Sequence, residues 1–369
     1  MLIGGFYSVD GAALSGPALT EDFDLRLDTA KNYDRKVYTN NGRTASVYAM
    51  RHCAEQMKGK KVLLPDYLCL SVISAVEAAG IEYDFYRVNR ALEIDLEDLK
   101  NKLDDTVGML YVIHYFTIPQ PKSVVDEVVK IAEENNLLIM EDITQAIFSR
   151  DEERMGFGDY AVGSLRKWFP MTDGGIMAVK NGVSGVEQEM PDGYDLSVYR
   201  ELMISVIRKE YRLNPSREKE TYLQYEKNAN AGRYLDLTPR HITDESKKIM
   251  LSSDIDKLIK RRVENFNYLY EELKDVKGLE ILSKPIDEDN NYVPFGFTVL
   301  AEDREGLYRH LVNNNIIPEI QWILPVEYYT PGEDAQFLSD HNIMLQCDQR
   351  YGIEEMKYTA DKIKEFLNK

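Results

Sequence analysis

Cysteine is scarce in this chain. Cys53, Cys69 and Cys347 are the only three in 369 residues, odd in number and far apart, which argues against a disulfide framework and makes the cytoplasm the expected compartment. Histidine is scarce as well. His52, His114, His241, His310 and His341 form no tight cluster with cysteine or acids, so no local metal motif is present and no metal is expected. No apolar run reaches the length needed to span a bilayer, and Met1 to Phe6 lack the cationic start and apolar stretch of a secretory signal. Positive charge is in deficit. Lys and Arg number 45 against 63 Asp and Glu, a net charge of -18, which disfavours nucleic acid and an anionic membrane surface as partners. There are no internal repeats and no low-complexity linker. What remains is a composition of 44% hydrophobic and 29% charged residues, that of a globular chain long enough for one large domain and a smaller one.

From about residue 60 to 180, apolar strand-like runs alternate with helical patterns, which predicts an α/β layer on a mostly parallel sheet. Val62–Leu64 reads as a short strand, residues 68 to 79 as a helix stopped by Gly80, and Ile81 to Tyr86 as a strand. Asp95 caps a helix carrying Leu96, Leu99 and Leu103. Val107 to Ile113 is a buried strand, residues 122 to 135 a helix, and Leu137 to Met140 a buried strand that delivers Glu141 and Asp142 to its carboxyl end. Ile176 to Val179 reads as a further strand. Residues 194 to 230 are charged and helical in character. A long amphipathic helix is expected over roughly 244 to 274, then strands at Leu279–Leu282 and Pro294–Leu300, and helices at 303 to 313 and 353 to 368.

Ligands of an open parallel sheet sit beyond the carboxyl ends of its strands. Asp142 lies at such an end, with Gln145 three residues on. Lys167 follows the strand-like run Tyr160 to Leu165, and the turn Asp173-Gly174-Gly175 comes soon after. An acid at a strand end and a lysine ahead of a diglycine are what a pyridoxal phosphate site requires. The carboxylate favours a protonated ring nitrogen, and a desolvated lysine carries the cofactor as an imine. Gln145 suits the ring hydroxyl. The start of the first helix, Gly42-Arg43-Thr44 with Ser46, suits a phosphate, because unbonded N–H groups gather there. Tyr67 stands where an aromatic would cover the ring, Ser164 offers a second contact to the phosphate or the lysine, and His114 shares the row of strand ends with Asp142. Each has a plainer alternative: a helix cap for Asp142, packing for Tyr67, a satisfied core histidine for His114 and a solvated lysine for Lys167.

Taken together, Gly42-Arg43-Thr44-Ala45, Leu64-Pro65-Asp66-Tyr67, Tyr111 to Phe116, Glu141 to Ala146, and Lys167 with glycines seven and eight residues later resemble the DegT/DnrJ/StrS-type aminotransferases. That family belongs to fold type I of the pyridoxal phosphate enzymes and acts on keto sugars attached to nucleotides. The resemblance implies Lys167 as the imine lysine, Asp142 on the ring nitrogen, Gln145 on the ring hydroxyl and the Arg43–Thr44 backbone on the phosphate. It also implies a homodimer with a shared active site. Three positions depart from the family pattern. Asp173 replaces the usual Glu before the diglycine, Val162 stands where a serine is frequent, and Leu237-Thr238-Pro239-Arg240 keeps only the arginine of a Gly-Tyr-Asn-x-Arg segment.

The expected organisation is an N-terminal segment over 1–40, a large cofactor-binding α/β domain over 41–240 with a helical insertion at 190–235, and a small α+β domain over 241–369. The expected activity is transfer of an amino group from a donor such as glutamate to a keto acceptor, with Arg240 and Trp322 as substrate contacts. The alternatives are a lyase or other pyridoxal phosphate chemistry, in which the pocket selects the bond that breaks, and a binding module with a vestigial site.

Overall fold

The computed structural model of the chain describes residues 2–4, 7–9, 32–193, 205, 236–286 and 291–368. Its central feature is a seven-stranded sheet. In chain order the strands and helices that build this layer are β2 (Arg35–Thr39), α1 (Gly42–Met57), β3 (Lys61–Pro65), α2 (Leu70–Ala79), β4 (Tyr83–Tyr86), α3 (Leu96–Asn101), β5 (Val107–Ile113), α4 (Lys122–Asn135), β6 (Leu138–Asp142), β7 (Tyr160–Ser164) and β8 (Gly175–Val179). A short strand β1 (Ile3–Gly4) precedes them. The spatial order is β2-β8-β7-β6-β5-β3-β4. Strands β4, β3, β5, β6 and β7 are mutually parallel; at one edge β8 runs antiparallel to β7, and β2 antiparallel to β8.

The α/β architecture is therefore the expected one, and the reason is local. Strands β5, β7 and β8 are buried along their whole length, so they read as unbroken apolar runs, as strands covered on both faces do. Helix α4 buries Val125, Val128, Ile131 and Ala132 at helical spacing and stops at Asn136 in the left-handed region. The acid-bearing strand runs further than its apolar run predicts. Glu141 and Asp142 pair with Val112 and Ile113 on one side and with Ala161 and Val162 on the other, because both neighbouring strands continue past Met140.

After residue 236 come α5 (Asp244–Ser252), α6 (Ile255–Leu273), β9 (Leu279–Ile281), β10 (Phe297–Ala301), α7 (Arg304–Asn313), β11 (Ile316–Ile317), α8 (Glu333–His341), β12 (Asn342–Leu345) and α9 (Ile353–Leu367). The single long helix expected over 244 to 274 is two helices. Ser253 is extended, and the Asp254 side chain caps α6 by accepting from the Lys257 N–H, a favoured Asp role at a helix start. Strands β12, β10 and β9 form an antiparallel sheet over a core that includes Phe266, Leu269, Phe297, Leu311, Met356 and Ile363. The main core takes in Ile249, Leu258, Phe295, Leu324 and Leu338 from this second half, so the two sheets are packed through shared apolar residues. The charged stretch read as an insertion lies, apart from 190–193 and Ser205, outside the described residues. No helix among the described residues is long and apolar enough to cross a membrane.

Candidate active site

Side chains alternate across a strand, and that alternation separates the two acids of β6. Glu141 turns to one face of the sheet, where it is fully buried. There it accepts hydrogen bonds from the Tyr33 hydroxyl and from the N–H groups of Gly156 (3.1 Å) and Gly158 (2.9 Å), and it pairs with His114 Nε2 at 2.8 Å. Burial pushes the Glu141 carboxyl up, but its bond and charge interaction with His114, with the Tyr33 and Gly158 donors, outweigh burial and hold it below the ordinary glutamate value. His114 is thus drawn into this buried pair and does not line the cavity on the opposite face.

Asp142 faces that cavity, which has a volume of about 290 Å³ and is walled by strand ends β5, β6 and β7, the start of α1, the residues around the start of α2, and the segment Glu319–Trp322. The Asp142 carboxylate is held at both oxygens. Its Oδ2 accepts from the Tyr111 hydroxyl at 3.1 Å and its Oδ1 from the Thr144 N–H at 2.9 Å. Burial first, and the Asp142 charge second, push the Tyr111 phenol well above its usual value, so Tyr111 remains a donor to the carboxylate at any ordinary pH.

Lys167 ends a single turn of 3-10 helix, Leu165–Lys167, directly after β7. It is half-buried, and its ammonium lies 5.8 Å from the centre of the Phe295 ring. The diglycine explains how this turn meets α1. Gly174 has a φ of 138° and donates its N–H to the Asn40 carbonyl at 2.7 Å, and its own carbonyl accepts from Leu165 N–H at 3.0 Å. A Cβ on Gly175 would lie 2.1 Å from the Asn41 carbonyl oxygen. Only glycine permits that approach, which sets the start of α1 beside the lysine turn.

Helix α1 opens on an Asn41–Thr44 capping box. Gly42, Arg43 and Ser46 line the cavity. The Thr44 hydroxyl turns inward to the cap instead, accepting from Asn41 N–H at 3.1 Å. Among the other expected residues, Gln145, Ser164 and Trp322 line the cavity. Tyr67 does not. It is fully buried, its hydroxyl donates to the Gln321 carbonyl, and its ring packs 5.6 Å from Trp322, which with Tyr111 supplies the aromatic lining of the space. Arg240 also lies outside the lining. Its side chain pairs with Asp236 at 3.6 Å, and its backbone bonds Asn40.

Sequence reasoning missed Tyr111, Arg166, Cys69, Ser71 and Glu319 as lining residues, whereas Gln321 belongs to the segment Gln321–Pro325 expected to contact substrate. The period of β5 was sufficient to put Tyr111 and Ile113 on one face. Nothing local marks Glu319, which arrives from the far half of the chain.

Residues 11–184 match the sequence profile of the DegT/DnrJ/EryC1/StrS aminotransferase family. No curated protein matches the sequence. Among solved structures, Helicobacter pylori PseC, an aminotransferase involved in the biosynthesis of pseudoaminic acid, superposes with a TM-score of 0.71 at 12% identity, over 100% of both chains. The aminotransferase TlmJ from Streptoalloteichus hindustanus gives 0.69 at 17% identity, covering 100% of this chain and 99% of the other. S. venezuelae DesV, solved in complex with a ketimine intermediate, gives 0.67 at 20% identity, covering 97% and 94%. At these identities the structural likeness establishes the fold.

Proposed function

We propose that the chain, whose residues 11–184 match the profile of the DegT/DnrJ/EryC1/StrS aminotransferase family, is an aminotransferase that binds pyridoxal phosphate in this cavity and passes an amino group from a donor such as glutamate to a nucleotide-linked keto sugar. One observation carries the reading: Lys167, Asp142 and the start of α1 line a single cavity of about 290 Å³, close to the lower end of the roughly 300–1,000 Å³ typical of small-molecule sites. In this reading residues 41–240 are the cofactor-binding domain, residues 241–369 the smaller domain that lends Glu319–Trp322, and a second copy of the chain completes the site.

The donor set fits the cofactor. Lys167 supplies an amine for its carbonyl carbon, Asp142 a carboxylate for its ring nitrogen, and α1 a helix start for its phosphate. Gly42 keeps that start tight against Ser164, since a Cβ there would come within 2.8 Å of the Ser164 Cβ. When bound, pyridoxal phosphate supplies an electron sink that stabilises negative charge on the substrate carbon. Asp142, oriented by Tyr111 and Thr144, holds the proton on the ring nitrogen. With the cofactor bound, Lys167 Nζ would take the proton from the amino-bearing carbon of the donor, and in the second half-reaction would deliver a proton to the acceptor carbon. The Phe295 ring, buried itself, lies 5.8 Å from that amine and shields one side of it. Arg43 and Arg166, in the lining of a chain with net charge -18, suit an acceptor that carries phosphate groups.

The test is a spectrum of purified protein with pyridoxal phosphate, followed by borohydride treatment and peptide mapping. A visible band and a covalent adduct on Lys167 support the reading, as does loss of both in Lys167→Ala. Glutamate should then bleach the band with release of 2-oxoglutarate. A protein that takes up no pyridoxal phosphate overturns the proposal.

A further inference from the structure

One wall of the cavity is a chain of side-chain hydrogen bonds that runs in a single direction. The backbone N–H of Phe116 donates to Gln145 Oε1 at 2.6 Å. A backbone N–H can only donate, so the Gln145 atom it meets is oxygen and the amide nitrogen lies on the other side. That nitrogen donates to Gln321 Oε1 at 2.8 Å, and Gln321 Nε2 donates in turn to Glu319 Oε2 at 2.7 Å. The second carboxylate oxygen, Oε1, accepts from Gln346 Nε2 at 2.8 Å. Both neighbours of Glu319 are therefore donors, and only a carboxylate accepts on both atoms. Gln145 and Gln321 are 2% and 4% exposed, so neither amide can exchange these partners for water without cost. The Glu319 backbone is tied to Met344 of β12 in both directions, at 2.9 and 2.8 Å, which anchors the far end of the chain.

We propose that Glu319 is a positioning residue of this site. Its carboxylate fixes the direction of the Gln321 amide, whose oxygen then accepts from Gln145 and supports the orientation that the Phe116 N–H gives it, with the Gln145 nitrogen turned to the phenolic oxygen of a bound pyridine ring. The proposal rests on the reading of the cavity as a pyridoxal phosphate site and adds residues that lie more than 170 positions beyond Gln145 in the chain. An amide at position 319 satisfies one neighbour and opposes a donor to the other, which leaves the chain with two competing directions.

The experiment is a titration of wild-type, Glu319→Gln, Gln321→Leu and double-variant protein with pyridoxal phosphate, by equilibrium dialysis and by the pH dependence of the visible band. Glu319→Gln should weaken uptake about ten-fold, the scale of one disturbed buried hydrogen bond. It should also move the midpoint of the band upward, because a phenolic oxygen that loses a donor holds its proton more tightly. If Glu319 acts through Gln321, adding Glu319→Gln to Gln321→Leu changes neither quantity further. Wild-type uptake with an unchanged Glu319→Gln variant overturns this inference alone, as does full additivity of the two substitutions. A wild-type protein that binds no pyridoxal phosphate overturns the functional reading and this inference together. Should Glu319→Gln not fold, Gln321→Leu carries the same expectation for uptake and band position, and wild-type values there overturn the proposal.

Discussion

The indole N–H of Trp168 donates to the carbonyl oxygen of Thr144 at 2.8 Å, joining the turn that holds Lys167 to the segment that holds Asp142 and Gln145. The second half of the chain reinforces this joint. The Arg262 guanidinium stacks on the Trp168 ring at 4.2 Å, and Gln349 Nε2 donates to the Trp168 carbonyl at 2.7 Å. The residue after the lysine is thus held at its ring, its indole N–H and its backbone, so the amine and the acid keep a fixed relation. Trp168→Phe keeps most of the packing but strands the Thr144 carbonyl. It should lower unfolding free energy by about 1–3 kcal/mol and slow amino transfer about ten-fold with little change in donor KM. Urea titration and steady-state kinetics check both.

Asp142→Asn preserves shape and removes charge. Thr144 N–H still finds an oxygen, and the Tyr111 hydroxyl can accept from the new amide, so the fold should hold. Without the carboxylate opposite the ring nitrogen, transfer should fall by about 10²–10³. Single-turnover kinetics with glutamate, beside an unchanged melting temperature, is the check.

Gly42→Ala places a methyl 2.8 Å from the Ser164 Cβ, tighter than two carbons can approach, and must push the start of α1 away from the end of β7. Pyridoxal phosphate affinity should drop, since the phosphate end of the proposed site moves. The compensating double variant Gly42→Ala/Ser164→Gly removes the opposing Cβ and should recover much of that affinity. A double variant no better than the single would show that steric contact with Ser164 is not the cause.

The buried Glu141 makes acid stability testable. Its carboxyl is held below its ordinary value of 4.5, so the folded state gives up that proton more readily than the unfolded chain. The stabilisation is present above about pH 4.5 and is lost as pH falls through the lower folded value. Glu141→Gln should therefore be less stable than wild type at pH 7, and the difference should shrink progressively below about pH 4.5. Parallel denaturation curves from pH 3 to 7 measure it. A constant difference across that range would contradict the assignment.

The strands and helices of the sheet layer were legible because their signals are local. Strand β5 was read with its observed ends, as was α4, since an unbroken apolar run and a helical valine pattern stand out from their neighbours. Helix α8 and strand β12 were not read at all. The residues of α8 carry Ala335 and Leu338 as their buried apolar side chains, too few to stand out as a helical face. The break at Ser253–Asp254 was in plain view as a cap signal and was overridden by the apolar period that runs through it.

For the site, sequence order alone determined that an acid ends one strand, that a lysine follows another, and that a diglycine comes after the lysine, because strand periodicity and glycine chemistry act within a few residues. Tertiary structure decided which side chains share the cavity. The pleat of β6 sends Asp142 to the cavity and Glu141 to a buried pair with His114, and the capping box takes the Thr44 hydroxyl inward. Packing of the two sheets brings Glu319, Gln321 and Trp322 across from the far half of the chain. Contacts of that kind depend on how distant surfaces fit, and no local pattern of residues encodes them.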